Sequence, residues 1–168
     1  VFSDPASIEN RLLDTLAMME RVMEFGWKVN GKNAKILPAA LLPNGNYFIP
    51  EKKDIPVPGK THLKGIPFPA LDMAFMVERL LRLHAALKQN RLPGINNPEL
   101  IATIDRILSG MTFWPFFDSQ GRMHQRVWVA DSGEVIPEPG FVDNGFAEVP
   151  MFLPLIYAGM LGDPALPL

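Results

Sequence analysis

Trp114-Pro115-Phe116-Phe117-Asp118-Ser119-Gln120-Gly121, continued by a polar and aromatic run through Trp128 and closed by Phe141-Val142-Asp143-Asn144-Gly145-Phe146, decides how this chain is read. Aromatic rings, acids and a Gly-flanked Asp-Asn pair are gathered between two helix-like segments. Ser119-Gln120-Gly121 has the composition of a turn, and the residues around it predict one small β-hairpin near 114–130. Long connections that are not low in complexity usually carry function, so chemistry is expected in this stretch.

Working outward, the flanking segments predict helices. Asp4-Pro5 supplies an N-cap and a first-turn proline, Ile8, Leu12, Leu16, Met19 and Met23 recur at three and four residues, and Gly26 is a terminator. A second helix is predicted from about Pro69 to Gln89. Met73, Met76, Val77, Leu80, Leu83 and Leu87 form its stripe, while Leu71, Phe75 and Leu81 widen it beyond half the circumference. Such a helix is covered on two sides. Asn97-Pro98-Glu99 opens a third helix, with Leu100, Ile101, Ile104, Ile107 and Leu108 inward and Gly110 at its end. A fourth apolar segment, Phe146 to Leu161, carries Pro150 and Pro154 and reads as a helix kinked or entered late.

The stretch 27–69 shows turn dipeptides at Asn30-Gly31, Asn44-Gly45 and Pro58-Gly59, a short apolar stub at Tyr47-Phe48-Ile49, and a charged cluster at Glu51, Lys52, Lys53 and Asp54. Read simply, the cluster is a solvated patch on a long loop able to lie over a cleft. Prolines number 17 in 168 residues and concentrate in 38–69 and 137–167, which predicts stiff connections.

Composition bounds the function. At 168 residues, 48% hydrophobic and 20% charged, the chain belongs to the globular class, and residues 1–168 are expected to form a single, incomplete helical domain. A net charge of −2 gives no basic footprint for nucleic acid or an anionic membrane. With no cysteine, thiolate chemistry and disulfides are excluded. The longest apolar run, Val149 to Met160, is about twelve residues, short of the roughly twenty needed to span a bilayer. A start at Val1 without an initiator Met, and an Asp163-Pro164 helix start close to the last residue, predict a processed or partial chain.

Histidines 62, 84 and 124 stand in unlike contexts, with no metal-ligand spacing among them, and His84 reads as a core or boundary residue. No nucleotide-binding or hydrolase-elbow motif appears, so no cofactor is expected. The acids are more informative. Asp143 has an immediate structural reason to stand where it does, as a helix cap. It also has company: Trp114, Phe116, Phe117, Trp128, Phe141 and Phe146 flank Asp118, Asp131, Glu134, Glu138 and Glu148. Aromatic platforms beside carboxylates suit sugar rings, whose C–H faces stack while hydroxyls pair with acids.

The succession of a helix, Phe68-Pro69-Ala70-Leu71-Asp72 opening an apolar helix, a third helix, the Trp114–Gly121 run and Val142-Asp143-Asn144-Gly145-Phe146 resembles the first part of the glycoamylase-like (α/α) toroids and related glucan-processing domains. The resemblance spans roughly residues 60 to 163. It implies a mainly α fold of stacked helical hairpins, part of such a toroid, with a cleft that binds a β-glucan or similar polysaccharide or oligosaccharide. It further implies hydrolysis by two acids. Asp143 and Glu148 are then the catalytic candidates, and Trp114, Asp118, Trp128, Asn144 and Phe146 the substrate-binding ones. A periplasmic or extracellular setting, and an oligomer or association with further chain, are the matching expectations. A non-catalytic helical subunit of a larger assembly, and a small-ligand binder using the same aromatic loop, are the rival readings.

Overall fold

The computed structural model describes residues 4–23, 27–29, 32–34, 51–112 and 114–142, with Val22, Trp114 and the two short strands before residue 35 described by their backbone alone. Helix boundaries follow the caps. In α1 (Pro5–Met23) the Asp4 carboxylate accepts from the N–H groups of Ala6 and Ser7, both at 3.3 Å. In α3 (Pro98–Gly110) the Asn97 side chain accepts from Glu99 N–H at 2.9 Å, and its amide donates to Glu9 Oε1 on α1 at 3.0 Å. α2 (Ala70–Lys88) has no side-chain cap. Its first residue instead donates to the Gln125 carbonyl at 2.9 Å, which ties the helix start to a strand.

Among the described residues the fold is mixed α/β, three helices and a four-stranded antiparallel sheet, not the stacked helical hairpins of a toroid. The sheet runs β3 (Lys53–Asp54), β4 (Lys64–Pro69), β5 (Arg126–Ala130), β6 (Val135–Pro137), and a separate antiparallel pair joins β1 (Trp27–Val29) to β2 (Lys32–Ala34). Pro67 and Pro69 explain why β4 reads as a connection. Asp131 N–H donates to the Lys64 carbonyl and Ala70 N–H to that of Gln125, so even-numbered β4 residues address β5 and odd-numbered ones address the other side. There β3 reaches only as far as Gly65, and the missing proline donors cost no ladder bond.

Alternation along these strands splits the sheet into two faces. Ile66, Phe68, Val127, Val129 and Val135 turn inward onto Met73, Met76, Val77 and Leu80 of α2 and the buried stripe of α3. Phe68 is fully buried, which stabilises by about 1.5–3 kcal/mol for one such ring. α2 is covered by the sheet on one side and α3 on the other, and Leu81 and Leu83 pack against the same core. Met18, 39% exposed, is the one large hydrophobic left open among the described residues. His84 of α2 brings Nε2 within 2.8 Å of Asp105 Oδ1 on α3, at an angle that makes no hydrogen bond.

The outer face carries a smaller core. Trp128, Ala130 and Ile136 are covered by Ile55, Val57 and Leu63 from the loop between β3 and β4. That loop turns at Pro58-Gly59, where Gly59 has φ +79 and Lys60 N–H donates to the Val57 carbonyl at 2.9 Å. Lys60 of this loop pairs with Glu134, and Lys52, just before β3, with Asp131, both at the β5–β6 turn, so the predicted solvated patch is exposed and partly ion-paired. Gly65 allows the close fit: a Cβ there would meet the Val129 carbonyl oxygen at 2.7 Å.

Candidate functional site

Phe116 closes a short 3-10 turn, Trp114–Phe116, and is fully buried, which anchors the hairpin that follows. Phe117 bridges Met123, His124 N–H donates to the Phe116 carbonyl at 2.7 Å, and Gly121, at φ +76, completes the turn from Asp118. A third segment then lies alongside. His124 bridges Phe141, and Val142 N–H donates to the Met123 carbonyl at 2.8 Å. The run 122–125 is thereby held between 116–118 and 140–142, directly continuing β5.

Asp118 organises the turn. Its Oδ1 accepts from the N–H groups of Gln120 at 2.9 Å and Arg122 at 2.8 Å, and its Oδ2 from Arg122 Nε and Nη2, both at 2.8 Å. Partial loss of water opposes its ionisation. The Arg122 backbone and side-chain donors, the Gln120 N–H and the guanidinium charge outweigh that loss and hold the carboxyl below its ordinary range. Asp118 is therefore an acceptor and not a proton donor near neutral pH.

The Arg122 guanidinium lies over the Phe141 ring, 4.0 Å from its centroid, and His124 stacks on the same ring at 4.9 Å with a 31° tilt. His124 Nδ1 donates to the Glu138 carbonyl at 3.2 Å. The Glu138 carboxylate in turn accepts from Trp128 Nε1 at 2.6 Å and from Arg126 Nη1 at 3.2 and 3.4 Å. Arg126 Nε is buried without a hydrogen-bond partner. Asp72, in the first turn of α2, is exposed, yet crowding by its neighbours pushes its carboxyl up against the pull of Arg126.

Arg122, His124, Phe141, Arg126 and Glu138 thus share the half of the outer sheet face that the 55–63 loop leaves open, with Asp118 behind Arg122. Each cation here has a carboxylate partner, so the surface offers donors and acceptors with little net charge. Among the described residues no group of three or more His, Asp or Glu is placed to hold a metal ion.

Of the site residues predicted from sequence, Asp118 stands behind Arg122 at the margin of this surface, while Phe141, read there only as a flanking aromatic, lies on it. Trp128 does not present its ring: it is 4% exposed, packed under Ile55 and bonded to Glu138. Trp114 is placed by its backbone only, and Asp143, Asn144, Phe146 and Glu148 lie outside the described residues. Arg122, His124 and Arg126 were not singled out by sequence. Their signal is a two-residue alternation leading into Trp128, which marks one face of a strand. Compared with protein-family models, with curated proteins and with solved structures, the chain matches none. No helix among the described residues is long and apolar enough to cross a membrane.

Proposed function

We propose that this chain binds a polysaccharide or oligosaccharide on the open half of its outer sheet face, and that the acids which follow it in sequence, Asp143 and Glu148, carry glycoside hydrolysis. The supporting observation is the framing of Phe141. One half-buried ring is in contact with a guanidinium and an imidazole, with the carboxylates of Asp118 and Glu138 each joined to an arginine of the same surface. Sugars combine apolar C–H faces with hydroxyls that both donate and accept, and this mixture of an aromatic edge with compensated polar groups matches them better than it matches an ion or an extended apolar ligand. Val142, whose N–H is bonded to the Met123 carbonyl, immediately precedes Asp143 in the sequence.

A panel of soluble β-1,3- and β-1,4-glucans, tested for binding by calorimetry and for hydrolysis by reducing-end release, tests this reading. Binding is expected to at least one glucan, lowered by Phe141→Ala. Turnover is expected to vanish in Asp143→Asn with folding retained, because Asn caps a helix about as well as Asp. Absence of both binding and hydrolysis across the panel overturns it.

A further inference from the structure

We propose that His124 is a specificity residue of this surface, accepting a hydrogen bond from a sugar hydroxyl at Nε2. The inference rests on the polysaccharide reading and adds to it a named atom and a named direction of hydrogen bonding.

The tautomer follows from the partner. A backbone carbonyl oxygen only accepts, so the 3.2 Å contact between His124 Nδ1 and the Glu138 carbonyl requires the proton on Nδ1. In the neutral ring Nε2 is then an unprotonated acceptor. The ring cannot easily swing away. It stacks on Phe141 at 4.9 Å, and its own backbone is pinned on both sides by the N–H bond to the Phe116 carbonyl and the bridge to Phe141. The residue is half-buried, and unlike His84 Nε2 its Nε2 is not a buried atom without a partner.

The neighbours make an acceptor useful at this point. Arg122 and Arg126, two residues away on either side along the same face, are donors, and their carboxylate partners Asp118 and Glu138 are already engaged by them. A hydroxyl that accepts from a guanidinium still has a proton to place. His124 stands between the two arginines along the strand, and its Nε2 is the acceptor assigned to that proton. A ligand group without a proton, such as an ether or a deprotonated acid, leaves that nitrogen unmatched, which is how the site distinguishes hydroxyls.

The test is nitrogen-detected NMR of the imidazole with laminarihexaose and cellohexaose, alongside calorimetry on substitutions. In the free protein the Nδ1 resonance is expected at the protonated position and Nε2 at the unprotonated one. On saturation with the sugar, Nε2 is expected to move toward the protonated position while Nδ1 stays. His124→Asn, whose amide can keep the bond to the Glu138 carbonyl but does not reach the Nε2 position, is expected to weaken binding by about three- to ten-fold, the loss of one hydrogen bond. His124→Gln, whose amide oxygen reaches that position, is expected to retain more of the affinity than Asn. A free protein protonated on Nε2, or sugar binding that leaves Nε2 unmoved, overturns the role of His124 while the polysaccharide reading stands. Failure of every glucan in the panel to bind overturns both.

Discussion

The strand-like run from Arg122 to Ala130 has one outer face with two unlike ends. At the β5 end Trp128 and Ala130 are buried with Ile136 beneath Ile55, Val57 and Leu63, while at the hairpin end Arg122, His124 and Arg126 remain partly or fully exposed around Phe141. Both ends contain aromatics and acids. The difference is the loop lid. Where it lies, the indole serves packing and uses its N–H to hold Glu138. Where it stops, the ring is left beside paired charges, and an apolar edge with hydrogen-bonding capacity faces solvent. An aromatic residue near acids is thus accessible to a ligand only where nothing of the protein itself covers it.

Substitutions at the covered end break this comparison most strongly if it is wrong. Trp128→Ala should cost about 3–5 kcal/mol of folding stability in denaturant unfolding, the range for emptying a large aromatic site. Phe141→Ala should cost clearly less and act mainly on glycan binding, because that ring packs on Arg122 and His124 rather than within a core. Equal losses at the two positions would mean that the two ends do not differ as described.

A second, smaller effect is expected at Gly65, which lets the lid side approach the sheet. A methyl group there meets the Val129 carbonyl oxygen at 2.7 Å, a backbone atom that cannot rotate away, and Ile55 Cδ1 at 3.0 Å. Gly65→Ala should therefore destabilise by roughly 1–3 kcal/mol, the range for overpacking. It should leave sugar affinity at the open end nearly unchanged, measurable by calorimetry on the folded fraction.

How far the sequence carries follows the range of the interactions. Helices α1, α2 and α3 are legible because caps such as Asp4 and Asn97 and the stripes behind them act within one or a few turns. The sheet is not. β3 has only two residues and β6 three, and β4 carries prolines at positions excused only because β3 has ended. Pairing 64–69 with 126–130 joins segments separated by two helices, and no local pattern announces it. That missing step turned a mixed fold into an expected toroid. For the site, Asp118 and Phe141 were legible as an acid and an aromatic flanking a turn. The burial of Trp128 was not, since it depends on Ile55 arriving from far upstream.

The smallest expected effect concerns Asp72, at the border of the open end. Its carboxyl is pushed up by removal of water, with Arg126 pulling the other way and losing. A native-state value raised above the unfolded one means that the folded chain holds the proton more tightly. Stability is then fullest below the unfolded value and declines as pH rises through the ordinary carboxylate range to the raised one. At neutral pH the ionised Asp72 is a mild burden. Asp72→Asn removes the titration and should stabilise slightly at pH 7, by less than about 0.5 kcal/mol as for other exposed positions, with no gain at pH 3 where the wild-type group is already protonated. Thermal unfolding of the two proteins at both pH values measures the difference. Destabilisation by Asp72→Asn at pH 7 would show instead that the attraction of Arg126 dominates, and that the charges of the open end are balanced by Asp72 as well as by Glu138.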